Sequence, residues 1–113
     1  MATVSIRHDV GGPDGVLARA LPFESHGAMR AVAFAPSSTG RLDRHWQERY
    51  QDDQNAPGIV YTVLSYDTPI AWVRADGRMV MPPVTYSPTT TRHQNLCRAW
   101  MGTDASCHEA AAA

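Results

Sequence analysis

The sequence predicts an α+β fold, in which a small antiparallel sheet of three to four strands packs against two helices. A run of β-branched and aromatic residues, broken by two tight turns, predicts strands between residues 59 and 81. Apolar residues recur at helical spacing on either side of that run, at about 41–51 and 90–101. The chain has 113 residues, 43% of them hydrophobic, which is enough apolar material for one modest core.

The first part of the chain is rich in turn residues, and its structural signals are short. An alternating stretch from Thr3 to Arg7 predicts a short edge strand, and the run from Met29 to Phe34 predicts another strand that ends before Pro36. The alanines of the second run leave a helix open as the alternative. The predicted organisation has three parts: an N-terminal arm at 1–20, a single compact domain at 21–102 and a flexible C-terminal tail at 103–113.

The first helix is predicted by three large side chains. Leu42, Trp46 and Tyr50 follow one another at intervals of four residues, with charged residues between them. This spacing predicts an amphipathic helix of about three turns at 41–51. The polar sequence QDDQNAPG then ends the helix, and we expect Asp52 and Asp53 to form its solvated end.

The central part of the chain carries the clearest β signal. The segments GIVYTVLSY, IAWVR and MVMPP are separated by DTP and ADGR, which predicts three antiparallel strands at about 59–66, 69–74 and 78–81. In the first of these strands the even-numbered and the odd-numbered residues point to opposite faces. Both sets contain bulky side chains, so we expect this strand to be central in the sheet.

A second helix is predicted after PPVTYSP, where Leu96 and Trp100 take up helical spacing over 90–101. One of the threonines at 89–91 is the expected N-cap, and Gly102 stands just past the end. We expect both helices to cover the same face of the sheet. The predicted core consists of the large apolar side chains of these elements: Leu42, Trp46, Leu64, Ile70, Trp72, Val80, Leu96 and Trp100.

The composition argues against several classes of protein. The formal net charge is -1, so the chain has neither the basic excess of a strong nucleic-acid binder nor the acidic excess of a DNA mimic. All 10 basic residues are arginines, a bias typical of a GC-rich genome. Only two cysteines occur, Cys97 and Cys107, and no apolar run is long enough for a membrane span, so we expect a cytoplasmic protein with reduced thiols.

Two blocks in the second half of the chain are distinctive as a pair: SYDTPIAW at 65–72 and YSPTTTRHQ at 86–94. With them, residues 22–101 resemble an uncharacterised family of small tailed-bacteriophage proteins, mainly from phages of actinobacteria, in which SYxTPIAW and YSxTTxxHQ blocks recur. Thr91 stands where serine is commoner in that family. The resemblance implies a phage origin, a location in the infected host cell and a single compact domain, and it brings no assigned activity.

The threonine-rich start of the second helix is the main candidate for a binding surface. Threonine hydroxyls, Arg92 and the N–H groups of a helix start suit a phosphate or a carboxylate, whereas the alternative is a cap that serves only the helix itself. Hydroxyls at the end of the first strand are expected to meet this helix start, as a ligand site or as a buried network that fixes the turns. The candidate binding residues are Tyr66, Thr68, Tyr86, Ser87, Thr89, Thr90, Thr91, Arg92, His93 and Gln94.

The patterns for metal binding and for nucleophilic catalysis are weak. His93 and Cys97 lie four residues apart on one helix face, and Cys107 and His108 follow in the tail, but this spacing is irregular for a zinc site. Cys97 stands next to Leu96 and fits a small core residue better than a nucleophile. No G-x-S-x-G elbow marks a serine nucleophile. We therefore predict no metal, no cofactor and no catalytic residue.

Binding is the function that these patterns favour. We expect a small phage accessory protein that binds a host protein, or a second copy of itself as a homodimer, through the Tyr86–Gln94 surface, and not a membrane. The alternative is a nucleic-acid-binding module that uses the Thr/Arg/His helix start, provided that both helices place their arginines on one side of the sheet. A small hydrolase that uses the hydroxyls and His93 comes third. The aromatic residues considered for base stacking are Trp46, Trp72 and Tyr86.

Overall fold

The structure is a computed structural model that describes residues 2–4, 15–25, 28–83 and 86–101, without the side chains of 2–4 and of Trp100. Gly102 and the predicted tail at 103–113 lie outside the described residues. The elements in chain order are β1 (Ala2–Val4), β2 (Phe23–Ser25), β3 (Met29–Val32), α1 (Arg44–Asn55), β4 (Ile59–Ser65), β5 (Thr68–Arg74), β6 (Met79–Val80) and α2 (Pro88–Trp100).

The strands form one sheet in which spatial order follows chain order from β1 to β6. β1 pairs with β2 in parallel, and each later neighbouring pair from β2 to β6 is antiparallel. The α+β class is confirmed, and the antiparallel part has five strands, more than predicted. β2 adds the unexpected strand, because the three residues FES are too short to show a periodic pattern. β4 pairs with β3 and β5 and is central, as predicted.

The two helices lie on opposite faces of the sheet, so the expectation that they share one face is wrong. Thr62 and Trp72 are paired across β4 and β5 and therefore share a face, and Tyr50 of α1 packs edge-on against Trp72. Ser65 lies on the other face of β4, where it contacts His93 of α2. Residues 61–65 are all buried because both faces are covered.

α1 begins and ends later than the spacing of its apolar residues indicates. Asp43 is the N-cap, and its carboxylate accepts a hydrogen bond from the backbone N–H of Trp46 at 3.0 Å. At the other end, Asp53 is not part of a solvated terminus but is only 3% exposed. It accepts hydrogen bonds from the indole N–H of Trp72 at 2.9 Å and from Arg49 at 3.0 Å, and Arg74 lies 3.6 Å away. This carboxylate therefore ties α1 to β5.

α2 is capped by Ser87, not by one of the three threonines. The Ser87 hydroxyl accepts a hydrogen bond from the backbone N–H of Thr90 at 3.1 Å, and Pro88 takes the first helical position. Proline suits that position because its missing N–H would have no partner within the helix. The threonines are therefore left for other contacts.

The core lies on both sides of the sheet. Of the predicted core residues, five are buried, whereas Trp46 and Leu96 are partly buried against the core and the side chain of Trp100 lies outside the described part of the chain. Several of the largest buried side chains were not predicted: Leu17, Phe23, Met29, Tyr50 and Tyr61. Among the described residues, no helix is both long enough and apolar enough to cross a membrane.

Candidate functional site

The turn between β4 and β5 holds its two residues in an unusual backbone conformation. Tyr66 and Asp67 join the strands with φ angles of 50° and 65°. A two-residue hairpin turn of this left-handed kind normally uses asparagine or glycine, because a larger side chain is strained there. Contacts from outside hold the turn in place: Arg30 pairs with the Asp67 carboxylate at 3.2 Å, and the Ser38 hydroxyl donates to the Asp67 carbonyl at 3.2 Å. The Tyr66 side chain is 60% exposed.

The loop before α1 passes directly over this turn. Gly40 has a φ of 49°, and a Cβ at that position would lie 2.6 Å from the Cα of Thr68 and 2.7 Å from the carbonyl oxygen of Asp67. The next residue, Arg41, donates its backbone N–H to the Thr68 hydroxyl at 2.8 Å. Since no other residue type can approach so closely, Gly40 fixes Arg41 beside the turn.

A cleft of about 460 Å³ lies between the turn, the Arg41 loop and the start of α2, a size that is typical of small-ligand sites. Eight of the described residues line it: one is an arginine, seven carry a hydroxyl group and none is acidic. The Tyr86 hydroxyl is buried and has no hydrogen-bond partner among the described residues. Burial, and next the charge of Asp43, raise the pKa of Tyr86, so its hydroxyl is a neutral donor. The cleft is lined by Arg41, Ser65, Tyr66, Thr68, Tyr86, Ser87, Thr89 and Thr90.

A chain of hydrogen bonds leads from the edge of the cleft to a buried histidine. The Ser87 hydroxyl donates to the Thr90 hydroxyl at 3.1 Å, the Thr90 and Ser65 hydroxyls are 3.0 Å apart, and Ser65 Oγ is 2.8 Å from Nδ1 of His93. Each hydroxyl has one proton to donate. With Ser87 donating to Thr90, Thr90 donates to Ser65 and Ser65 donates to Nδ1. We call this set of four residues the hydroxyl relay.

The electrostatics of His93 agree with that direction of donation. His93 is 4% exposed, and burial, with the charge of Arg92 as the second cause, lowers its pKa below the usual value of about 6.5. The imidazole is therefore neutral at pH 7, and its unprotonated Nδ1 accepts from Ser65. A neutral histidine at this distance from a serine hydroxyl has the geometry of a general base.

The structure brings six of the ten predicted binding residues to the cleft and places the other four elsewhere on α2. His93 and Gln94 are buried below the cleft, and Arg92 is exposed outside it. The Thr91 hydroxyl donates to the Ser87 carbonyl at 3.1 Å and so stabilises the helix start. The six that line the cleft are Tyr66, Thr68, Tyr86, Ser87, Thr89 and Thr90.

Two lining residues, Arg41 and Ser65, are absent from the predicted set. Arg41 lies far along the chain from the two blocks, and the signal for it is Gly40, a glycine directly before the predicted helix at 41–51. Ser65 stands in the same block as Tyr66 and alternates with Tyr61 and Val63, so its side chain lies on the face of β4 that α2 covers. Its contact with His93 depends on where α2 packs, which local periodicity does not determine.

Cys97 is a core residue, as predicted. It is fully buried, and burial raises the pKa of its thiol, so a reactive thiolate is disfavoured. Cys107 and His108, the other two candidate zinc ligands, lie outside the described residues. Within the described part of the chain, no three histidine, cysteine or acidic side chains lie close enough together to hold a metal ion.

Comparison with known proteins gives a family assignment and no relative of established activity. No curated protein and no solved structure matches the chain. The sequence profile of DUF8033, a family of unknown function, matches residues 37–110. The match covers more than half of the chain and includes the Arg41 loop, the β4–β5 turn and the whole of α2. This protein belongs to the DUF8033 family.

Proposed function

We propose that this protein is a binding domain and that the cleft at the start of α2 takes an anionic group of its partner. The single observation that carries the proposal is the lining of the cleft, in which the described residues supply Arg41 as a cation, seven hydroxyl groups and no acidic side chain. Arginine and hydroxyl donors suit the oxygens of a carboxylate or a phosphate. The Tyr86 hydroxyl, which has no partner within the described part of the chain, adds a buried donor that a ligand can satisfy.

The partner we propose is a host protein or a second copy of this chain. The resemblance of residues 22–101 to small tailed-bacteriophage proteins supports an accessory role in an infected cell. An acidic side chain or a chain terminus of the partner would supply the carboxylate. Tyr66, exposed at the edge of the cleft, offers an aromatic surface of the kind that is enriched in protein interfaces.

Titration of inorganic phosphate and of acetate into ¹⁵N-labelled protein tests the proposed chemistry. We expect amide shifts at Arg41, Thr89 and Thr90, and a loss of affinity of about tenfold or more in Arg41→Ala, since a hydrogen bond to a charged group contributes about 1.5–3 kcal/mol. Arg92→Ala is the matched control, because Arg92 is an exposed arginine outside the cleft. Equal losses in both variants, or shifts remote from the cleft, would contradict the proposal.

Affinity purification from a nuclease-treated actinobacterial lysate then tests the partner. A stoichiometric host protein that is captured by the wild type and by Arg92→Ala, but not by Arg41→Ala, supports the host-protein proposal. A concentration-dependent dimer that Arg41→Ala dissociates supports self-association instead. Capture that is insensitive to Arg41 assigns the interaction to a different surface.

A nucleic-acid-binding module is the second candidate, and one observation favours it. The cleft combines Arg41 with Tyr66 and Tyr86, which is the pairing of a phosphate contact with aromatic rings that single-stranded nucleic acids use. Trp72 is fully buried, so it is not available to stack on a base. The arginines of the two helices do not form a common strip, because α1 and α2 lie on opposite faces of the sheet.

Salt dependence separates the two candidates. Binding of a single-stranded oligonucleotide should weaken linearly in a plot of log affinity against log salt, with a slope that falls by about 0.7 in Arg41→Ala for the lost phosphate contact. An interaction with one carboxylate of a protein partner should depend far less on salt.

A further inference from the structure

The hydroxyl relay contains a serine and a histidine in contact, and the serine lines the cleft. Ser65 Oγ is 2.8 Å from Nδ1 of His93, which is the distance at which a base takes a hydroxyl proton. Ser65 is the last residue of β4, and the left-handed turn at Tyr66 and Asp67 follows at once. Strained backbone of this kind is concentrated at functional sites.

We propose that the cleft is also an acyl-transfer site for small carboxylic esters, with Ser65 as the nucleophile and His93 as the general base. This further activity rests on the same cleft as the proposed binding function. Arg41 also lines the cleft, so the ester we propose carries a second, anionic group that this arginine would bind. The Tyr86 hydroxyl, buried and without a partner among the described residues, is a donor for the developing oxyanion.

The proposed reaction has two balanced steps. In the first, Ser65 Oγ forms a bond to the carbonyl carbon, its proton passes to Nδ1 of His93, the bond from carbon to the alcohol oxygen breaks, and the leaving alcohol takes the proton from His93. In the second, His93 removes a proton from water, the hydroxide oxygen bonds to the acyl carbon, the bond to Ser65 Oγ breaks, and Ser65 recovers the proton. The products are an alcohol and a carboxylic acid, and no further reactant is needed.

His93 is set up for the role of base by its surroundings. Its low exposure keeps the imidazole neutral at pH 7, while Ser65 gives Nδ1 its hydrogen bond. Thr90 contacts the same serine oxygen at 3.0 Å and holds it in position, since Thr90 is itself fixed by Ser87. None of the carboxylates in the described residues is hydrogen-bonded to His93, so the expected turnover is that of a serine–histidine pair alone.

Labelling of the wild-type protein by a fluorophosphonate provides the first test, because this reagent bonds to activated serines and the experiment needs no variant. We expect phosphonylation at Ser65 and not at Ser87, a second serine of the same cleft whose hydroxyl is hydrogen-bonded to Thr90 and not to His93. The labelling rate should rise with pH as His93 loses its proton and, because burial lowers the pKa of His93, should level off below the usual histidine value of about 6.5. Absence of label on Ser65, or equal label on both serines, would overturn the proposal.

A matched pair of variants separates catalysis from structure. His93→Asn retains an acceptor oxygen for Ser65 but cannot take a proton at neutral pH, so we expect a folded protein whose labelling is slower by about 100-fold or more. Unchanged labelling in folded His93→Asn would overturn the role of His93 as base. If this variant does not fold, the pH profile of the wild type decides the matter alone.

Two p-nitrophenyl esters test the substrate class. The mono-p-nitrophenyl ester of succinic acid should be hydrolysed faster than p-nitrophenyl acetate. Arg41→Ala should remove that preference, whereas Arg92→Ala, at an exposed arginine outside the cleft, should keep it. A preference that persists without Arg41 contradicts the assignment of the anionic group. Phosphate titration of the wild type reports on the binding function separately, so a protein that binds phosphate but leaves Ser65 unlabelled disproves only the acyl-transfer proposal.

Discussion

Each face of the sheet covers a buried polar group, and the two groups are stabilised in different ways. Under α1 the group is the Asp53 carboxylate, which receives Trp72 and Arg49 and lies 3.6 Å from Arg74. Under α2 it is the hydroxyl relay, which consists of neutral groups and leads to a cleft. One polar cluster is charged and closed by protein atoms, whereas the other is uncharged and lies beside space for a ligand.

From this difference we infer that the polar cluster under α1 stabilises the fold, whereas the one under α2 serves function. A buried carboxylate must be paired, because its desolvation costs far more than that of a hydroxyl. Its partners are therefore expected to be needed for folding. Hydroxyl groups can exchange partners at a smaller cost, since each can donate and accept. We expect the side of the sheet under α2 to tolerate substitution better and to carry the specific chemistry.

The largest expected effect is that of Asp53→Ala on the α1 side. The substitution leaves the Trp72 indole N–H and the Arg49 guanidinium without their carboxylate, and the loss of stability should be about 3 kcal/mol. Urea unfolding monitored by tryptophan fluorescence measures it. Asp52→Ala is the control, because the exposed neighbour should change stability by no more than about 0.5 kcal/mol. Similar losses of stability in the two variants would show that the buried Asp53 carboxylate does not stabilise the fold more than an exposed one does.

Gly40→Ala should have the next largest effect, at the edge of the cleft. The new Cβ would meet the backbone of Thr68 and Asp67 in a left-handed conformation, and we expect a loss of about 2 kcal/mol together with weaker phosphate binding as Arg41 moves. Gly77→Ala is matched in having a positive φ, of 90°, but faces open space, so it should lose only about 1 kcal/mol and bind phosphate normally. An intact cleft in Gly40→Ala would show that another contact positions Arg41.

A smaller effect is expected from pH, through His93. Because burial lowers its pKa in the folded chain, the unfolded chain binds more protons between that pKa and about 6.5. Stability therefore rises with pH across this window and falls on acidification below about 6.5. Urea midpoints measured at a series of pH values should show this slope in the wild type and a reduced slope in His93→Asn. An unchanged slope in folded His93→Asn would show that another group carries this pH dependence.

The sequence predicted the regular elements well because each has a local period. The three strands of 59–81 and both helices are present, with ends displaced by at most four residues. The N-cap of α2 was predicted wrongly: Ser87 is the cap and not a threonine, because the proline that follows it favours the first helical position. The faces of the helices could not be predicted, because alternation in β4 shows that both faces are covered but not by which helix.

The candidate site was predictable where its residues share one of the two blocks, and not where it depends on long-range packing. Tyr66, Thr68 and Tyr86 meet at the cleft as expected. Arg41 enters through the close approach of Gly40 to the β4–β5 turn, a contact between segments 27 residues apart. Asp53 was misread for a similar reason, since its partner Trp72 lies on a different element.

The smallest expected effect has the opposite sign and concerns Tyr66. Asparagine tolerates the left-handed backbone better than tyrosine, and the ring is 60% exposed, so little buried area is lost in Tyr66→Asn. We expect a gain in stability of about 0.5 kcal/mol, measured by urea unfolding, with weaker binding of the partner. Ser38→Ala, which removes a bond that holds the turn, should lower stability and leave the ring in place. If Tyr66→Asn gains stability, tyrosine is strained at this position, and we infer that its ring contacts a ligand. A loss of stability in Tyr66→Asn would mean instead that the ring stabilises the fold.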